Sequence, residues 1–144
     1  MAKDAVALDD AAGRCQFKCM ARCCRYITVQ IPAPKGKRDL EELSWFLAHR
    51  EVSVYVESRR WHLEFRTPCK YLTQENLCAI YDDRPDVCRD YSTDACEYPT
   101  RPEHSLQFDS RDDFEYWRAA KSKRRRAQRL TAAPAKQTKQ APKG

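Results

Sequence analysis

Three stretches of the chain alternate apolar and polar residues with the period of two that one face of a β-sheet requires: Ile27 to Ile31, Val52 to Val56 and Trp61 to Phe65. The first reads as a half-buried strand ended by Pro32, Pro34 and Gly36. The other two flank a short charged turn, Glu57 to Arg60, and predict a β-hairpin. A helical period replaces the alternation between Asp39 and about Arg50, where Leu40, Leu43, Phe46 and Leu47 form one apolar face. Asp39, followed three residues later by Glu42, is the expected N-cap. A later helix starts at Ser110 with Asp113, carries Phe114, Trp117 and Ala120 on one stripe, and extends to about Leu130. Strands and helices in this order predict an α+β fold with a β-hairpin and several short helices.

The segments between these elements hold the cysteines. In RCQFKCMARCCRY (Arg14 to Tyr26), Cys15, Cys19 and Cys23 follow an i, i+4, i+8 series that would align on one side of a helix, with Cys24 about 100° around. Thr67-Pro68 stops the hairpin's second strand, Gln74 to Asn76 supplies a turn, and Cys78 is expected on the return strand. Asp83 is the expected cap of a short helix that begins at Arg84 or Pro85 and carries Cys88. Cys96 falls in a polar loop ended by Pro99 and Pro102. Residues 1–12 read as a leader without a clear apolar face, residues 13–118 as the cysteine domain, and residues 119–144 as a basic tail. Beyond about Leu130 the tail lacks large apolar groups that could offset the cost of ordering its backbone, so disorder is expected there.

Composition removes several function classes. No run approaches the roughly 18 apolar residues of a membrane-spanning helix. Only three glycines occur, Gly13, Gly36 and Gly144, so neither a G-x-G-x-x-G nor a G-x-x-x-x-G-K-[ST] phosphate loop can be formed. The formal net charge of +6 belongs to the tail. Nine of the 27 cations lie from Ala119 onward with no acid among them, which leaves 18 cations against 21 acids before that point, a net of −3. The domain is mildly acidic.

Eight cysteines in 144 residues remain to be explained. Met1 to Arg14 contains Asp4, Asp9 and Asp10 and no hydrophobic signal segment, which argues for a cytoplasmic location and for reduced thiols over disulfides. The cysteines fall into two groups along the chain, Cys15, Cys19, Cys23 and Cys24, then Cys69, Cys78, Cys88 and Cys96. Four thiolates satisfy structural zinc or an iron-sulfur cluster. Neither group has the C-x2-C spacing of a zinc ribbon, so order along the chain need not equal grouping in space. Arg14, Lys18, Arg22, Arg25, Lys70, Arg84 and Arg89 lie within a few residues of a cysteine and could favour thiolates and donate hydrogen bonds to sulfur.

FKCMARCCRY, then PCKYL, then LCAIYDDRPDVCRDY resembles the YkgJ-like cysteine-cluster family, bacterial proteins with a CxxCxxCC signature described as zinc- or iron-chelating domains. The resemblance covers Cys15 to Cys96, and its most specific part is carried by Cys78, Ile80, Tyr81, Arg84, Pro85, Cys88 and Arg89. It implies a metal-stabilised domain that binds zinc or iron and whose biological role is mostly undefined. The front gaps here are three residues where the signature has two, which makes Cys15 the weakest of the eight candidate ligands; Cys23, Cys69, Cys78 and Cys88 are the firmest.

Other chemistries have less support. Cys15, Cys19 and Cys23 approach the C-x3-C-x2-C pattern of radical S-adenosylmethionine enzymes, but the last gap is one residue too long. A lysine methylase is an alternative because a flagellin-modifying relative in the family carries such a cluster, although no catalytic motif is evident. His49, His62 and His104 read as helix-end, strand and loop residues. Asp82, Asp83, Asp90 and Asp94 read as capping or solvated groups, and Trp45, Trp61 and Trp117 as packing residues. The run KSKRRRAQR could bring nucleic acid, RNA in particular, or an acidic protein to the tail by counterion release.

Overall fold

The computed structural model describes residues 13–90 and 103–132. The expected leader, Cys96, Asp94 with the prolines around it, and the expected disorder past residue 132 lie outside the described residues.

Four antiparallel strands form one sheet in the order β1-β3-β2-β4: β1 Ile27–Ile31, β2 Val52–Glu57, β3 Arg60–Phe65 and β4 Leu106–Phe108. β2 and β3 make the expected hairpin, with Glu57 opposite Arg60 and a two-residue loop of Ser58 and Arg59. Both loop residues have positive φ, 49° and 64°, which matches the right-handed twist of the strands at a steric cost to residues with a Cβ. β4 was not foreseen; three residues are too few to show a period. It adds to β2 through Val54 opposite Phe108 and Val56 opposite Leu106.

Helix α1 (Lys37–Phe46) and helix α3 (Arg111–Thr131) cover one face of the sheet. Between them in sequence is a single turn, α2 (Asp86–Arg89). The core consists of Leu43 and Leu47, Val52, Val54 and Val56, Trp61, Leu63, Phe108 and Phe114, with Trp117 packed against it. Phe108, Phe114 and Trp117 form a ring cluster with centroids 5.2 to 5.7 Å apart, and Trp61 meets Trp117 edge-on at 6.1 Å. Buried Ser44 joins the helices, accepting a 3.0 Å hydrogen bond from Arg111 Nε. Its hydrogen bond to Glu115 holds that carboxyl below its ordinary range, and the charges of Arg118 and Arg111 act in the same direction.

Several local expectations are corrected. Gly36, not Asp39, is the N-cap of α1, and Asp39 is its third residue. The Asp39 carboxylate accepts from the backbone N–H of Lys35 at 2.8 Å and of Gly36 at 3.1 Å, and these bonds hold its pKa down. The helix ends at Phe46, short of Arg50. Trp45 is 59% exposed and does not join the core. β1 is a strand as expected, but it is an edge strand whose Ile27 and Val29 stay about half exposed, because the helices pack over β2 and β4. The helix that begins at Ser110 runs to Thr131, close to its expected end, so residues 119–131 of the basic tail are helical. Its cap forms as read, with Ser110 Oγ accepting from the Asp113 N–H at 3.2 Å.

Candidate metal centre

The first cysteine segment does not form the single helix that an i, i+4, i+8 spacing suggests. Arg14–Lys18 makes one π turn, closed by the Cys19 N–H donating to the Arg14 carbonyl at 2.9 Å. Met20 and Ala21 then take left-handed backbone conformations, with φ 57° and 50°, and a 3-10 turn follows at Arg22–Cys24. Each left-handed residue costs about 1 to 2 kcal/mol, so other contacts must hold the break in place.

Those contacts come from Arg25 and from the second cysteine segment. Arg25 Nε donates to the Met20 carbonyl at 2.8 Å, and its Nη2 donates to Asn76 Oδ1 at 2.6 Å. The Asn76 amide in turn donates to the Gln16 carbonyl at 3.3 Å and approaches Met20 Sδ at 3.6 Å. Asn76, itself at φ 60°, occupies the turn read at Gln74 to Asn76. That turn closes through the Thr73 N–H donating to the Leu77 carbonyl, and an isolated bridge pairs Leu72 with Cys78 where a return strand was expected. The Cys69 N–H donates to the Cys24 carbonyl at 2.7 Å and fastens the two segments directly.

After Cys78 the chain makes a 3-10 turn at Tyr81–Asp83 and enters α2 with Pro85, not Asp83, at the N-cap. Arg84 Nε donates to the Tyr81 carbonyl at 2.8 Å, and its guanidinium lies 3.7 Å from the Tyr81 ring centroid. Arg89 donates to the Arg84 carbonyl at 2.8 Å and to the Asp82 carbonyl at 2.6 Å. These arginines, read from sequence as donors to sulfur, bond backbone carbonyls instead and so shape the loop that presents Cys88.

The two groups of cysteines meet in space. Cys24 is half-buried and hydrogen-bonded by Cys23, which pulls its pKa below the ordinary thiol value. Burial pushes the other way, as does negative charge on Cys69, Cys78 and Cys88, all near enough to be felt at the same sulfur. The backbone bond from Cys69 sets Cys24 against the second segment, an arrangement that spacing along the chain could not reveal. Cys19 is buried and its thiol faces the Cys15 carbonyl at 3.6 Å. None of the seven described cysteines forms a disulfide. Among the described residues, no three His, Cys, Asp or Glu side chains stand close enough to enclose an ion. The thiols of the two adjoining segments are soft sulfur donors, whose chemistry suits zinc or iron.

The histidines lie elsewhere. His49 Nδ1 is 2.9 Å from the Trp45 carbonyl at the end of α1, while His62 stacks on Tyr55 at a ring centroid distance of 4.8 Å and His104 lies tilted against the same ring at 4.2 Å. What sequence reasoning missed is the pairing of Asn76 with Arg25, which holds the two segments together. An asparagine in a turn with an arginine beside a Cys-Cys pair was the available signal, but nothing in sequence pairs positions 51 residues apart.

Residues 14–120 match a family model named CxxCxxCC and described as "Putative zinc- or iron-chelating domain". No curated protein and no solved structure matches the chain.

Proposed function

Starting from the chain's membership of the CxxCxxCC family of zinc- or iron-chelating domains, we propose that its metal centre is built around Cys24, Cys69, Cys78 and Cys88. Cys23 stands beside Cys24 as a hydrogen-bond donor or further ligand. Cys15, Cys19 and Cys96 are outer candidates. The observation that carries this reading is the 2.7 Å hydrogen bond from the Cys69 N–H to the Cys24 carbonyl, which sets the two cysteine segments side by side; the charges of Cys69, Cys78 and Cys88 all act on the Cys24 thiol in the same direction. A bound ion would supply a cross-link between the two segments. The chain's own residues do the rest: the Asn76 and Arg25 clamp sets the segments against each other, and Arg84 and Arg89 fix the turn that carries Cys88.

The reading also explains how so little apolar material is kept ordered. The buried core is drawn from α1, the sheet and the start of α3, and contains no residue of positions 13–26 or 66–90. In those segments only Cys19 and Ala21 are buried apolar residues. A layer without its own core needs another cross-link, and metal thiolates provide one.

Elemental analysis and an absorption spectrum of anaerobically purified protein test the proposal. Stoichiometric zinc with a colourless protein, or iron with visible sulfur-to-iron absorption, is the expected result. Serine replacements of Cys24, Cys69, Cys78 or Cys88 should each abolish stoichiometric loading, whereas Cys15→Ser should retain it. Metal-free protein from anaerobic, metal-supplemented growth, or full loading of Cys24→Ser, would overturn the assignment.

A further inference from the structure

Helix α3 continues well past the core it is anchored to. Phe114 and Trp117 pack inward, but every residue from Ala119 to Thr131 is exposed. These 13 residues make a rod about 20 Å long at 1.5 Å per residue. It carries Lys121, Lys123, Arg124, Arg125, Arg126 and Arg129 with no acid among them. Among the described residues, none of these cations is in an ion pair. Lys121 lies over the ring of Trp117, one turn earlier on the same helix, at 4.5 Å, where the helix leaves the core.

The angular placement of the charges says what they fit. Successive helical residues are about 100° apart, so Arg124, Arg125 and Arg126 span about 200°, and Arg129 lies one turn above Arg125. A flat acidic surface or a lipid headgroup plane meets only one face of such a helix. A groove walled by anions on both sides can meet Arg124 on one wall and Arg126 on the other, while Lys121, Arg125 and Arg129 lie between the two rows of phosphates and their long side chains reach toward either. The B-DNA major groove, about 12 Å wide, admits an α-helix, whereas that of A-form RNA is too narrow for side-chain entry. No aromatic residue lies between Ala119 and Thr131 to stack on bases.

We propose that the projecting half of α3 binds double-helical DNA through its phosphate backbone, without sequence preference. Binding relieves the mutual repulsion of cations at i, i+4, such as Lys121 with Arg125 and Arg125 with Arg129, by placing them in the negative potential between two rows of phosphates.

The test is fluorescence anisotropy of the full-length chain with a labelled 20-base-pair DNA duplex of mixed sequence, titrated in KCl from 50 to 200 mM. About five neutralised phosphates, Lys123 pointing away from the groove, predict a log-log salt slope of about −4.5 and a loss of roughly 500-fold in affinity across that range. The triple variant R124Q/R125Q/R126Q, with its circular dichroism unchanged, should reduce the slope's magnitude by about 3. Retained slope and affinity in that variant would overturn the proposal. So would equal or tighter binding of an RNA duplex of the same sequence, or displacement of the DNA by polyglutamate at equal charge concentration. Affinity should persist after chelation; its loss would move the contact to the cysteine layer and overturn the assignment to α3.

Discussion

At the scale of single residues, the cysteine region is shaped by side chains that are not themselves ligand candidates. Asn76 accepts from Arg25, donates toward Gln16 and Met20, and holds a left-handed backbone conformation that asparagine tolerates better than most residues. Asn76→Ala should lose about 1 kcal/mol from the backbone and about 1 kcal/mol from the missing bonds in urea denaturation. Asn76→Gly should recover only the backbone part, which separates the two contributions. Cys23 acts on its neighbour: its hydrogen bond favours the Cys24 thiolate over the thiol. Because that pKa is lowered on folding, its contribution to the stability of metal-free protein is full above the unfolded thiol's pKa and is lost as pH falls through the folded value. Cys23→Ala should therefore move the pH profile of Cys24 alkylation upward, as read by mass spectrometry of the Cys24 peptide.

At the scale of elements, the regular parts follow from local pattern and the irregular parts do not. Valines at 52, 54 and 56 and the apolar face of α1 were legible because burying one face imposes a period. The hairpin loop was legible in position, but not in its cost: Ser58 and Arg59 both adopt φ values that suit Asn-Gly better. The double variant S58N/R59G should raise stability by about 1 kcal/mol, read as a shift in the urea midpoint at constant slope. The cysteine segment departs furthest from its pattern. A helix over Arg14 to Tyr26 would satisfy the spacing of Cys15, Cys19 and Cys23, yet Met20 and Ala21 break it, and in the broken form the Met20 and Gln16 carbonyls accept from Arg25 and Asn76.

At the scale of the whole molecule, two layers with different sources of order share one chain. The sheet with α1 and α3 has a continuous apolar core, while the cysteine layer is fastened by hydrogen bonds such as Cys69 N–H to the Cys24 carbonyl. Removing metal should therefore loosen the layers unequally. Hydrogen exchange after chelation is expected to accelerate across residues 13–26 and 66–90 while amides of β2 and β3 keep their protection. Uniform acceleration would show that the core also depends on the metal. The sequence by itself determined the α+β class, the hairpin, the apolar faces of the two long helices, the family and the separation of an acidic domain from a basic C-terminal run. Each of these depends on local period, composition or ordered spacing. The tertiary structure decided that the Cys69 N–H bonds the Cys24 carbonyl across the two cysteine segments and that a short fourth strand completes the sheet. Those features arise from contacts between residues far apart in the chain, whose free energy appears only when distant segments are brought together.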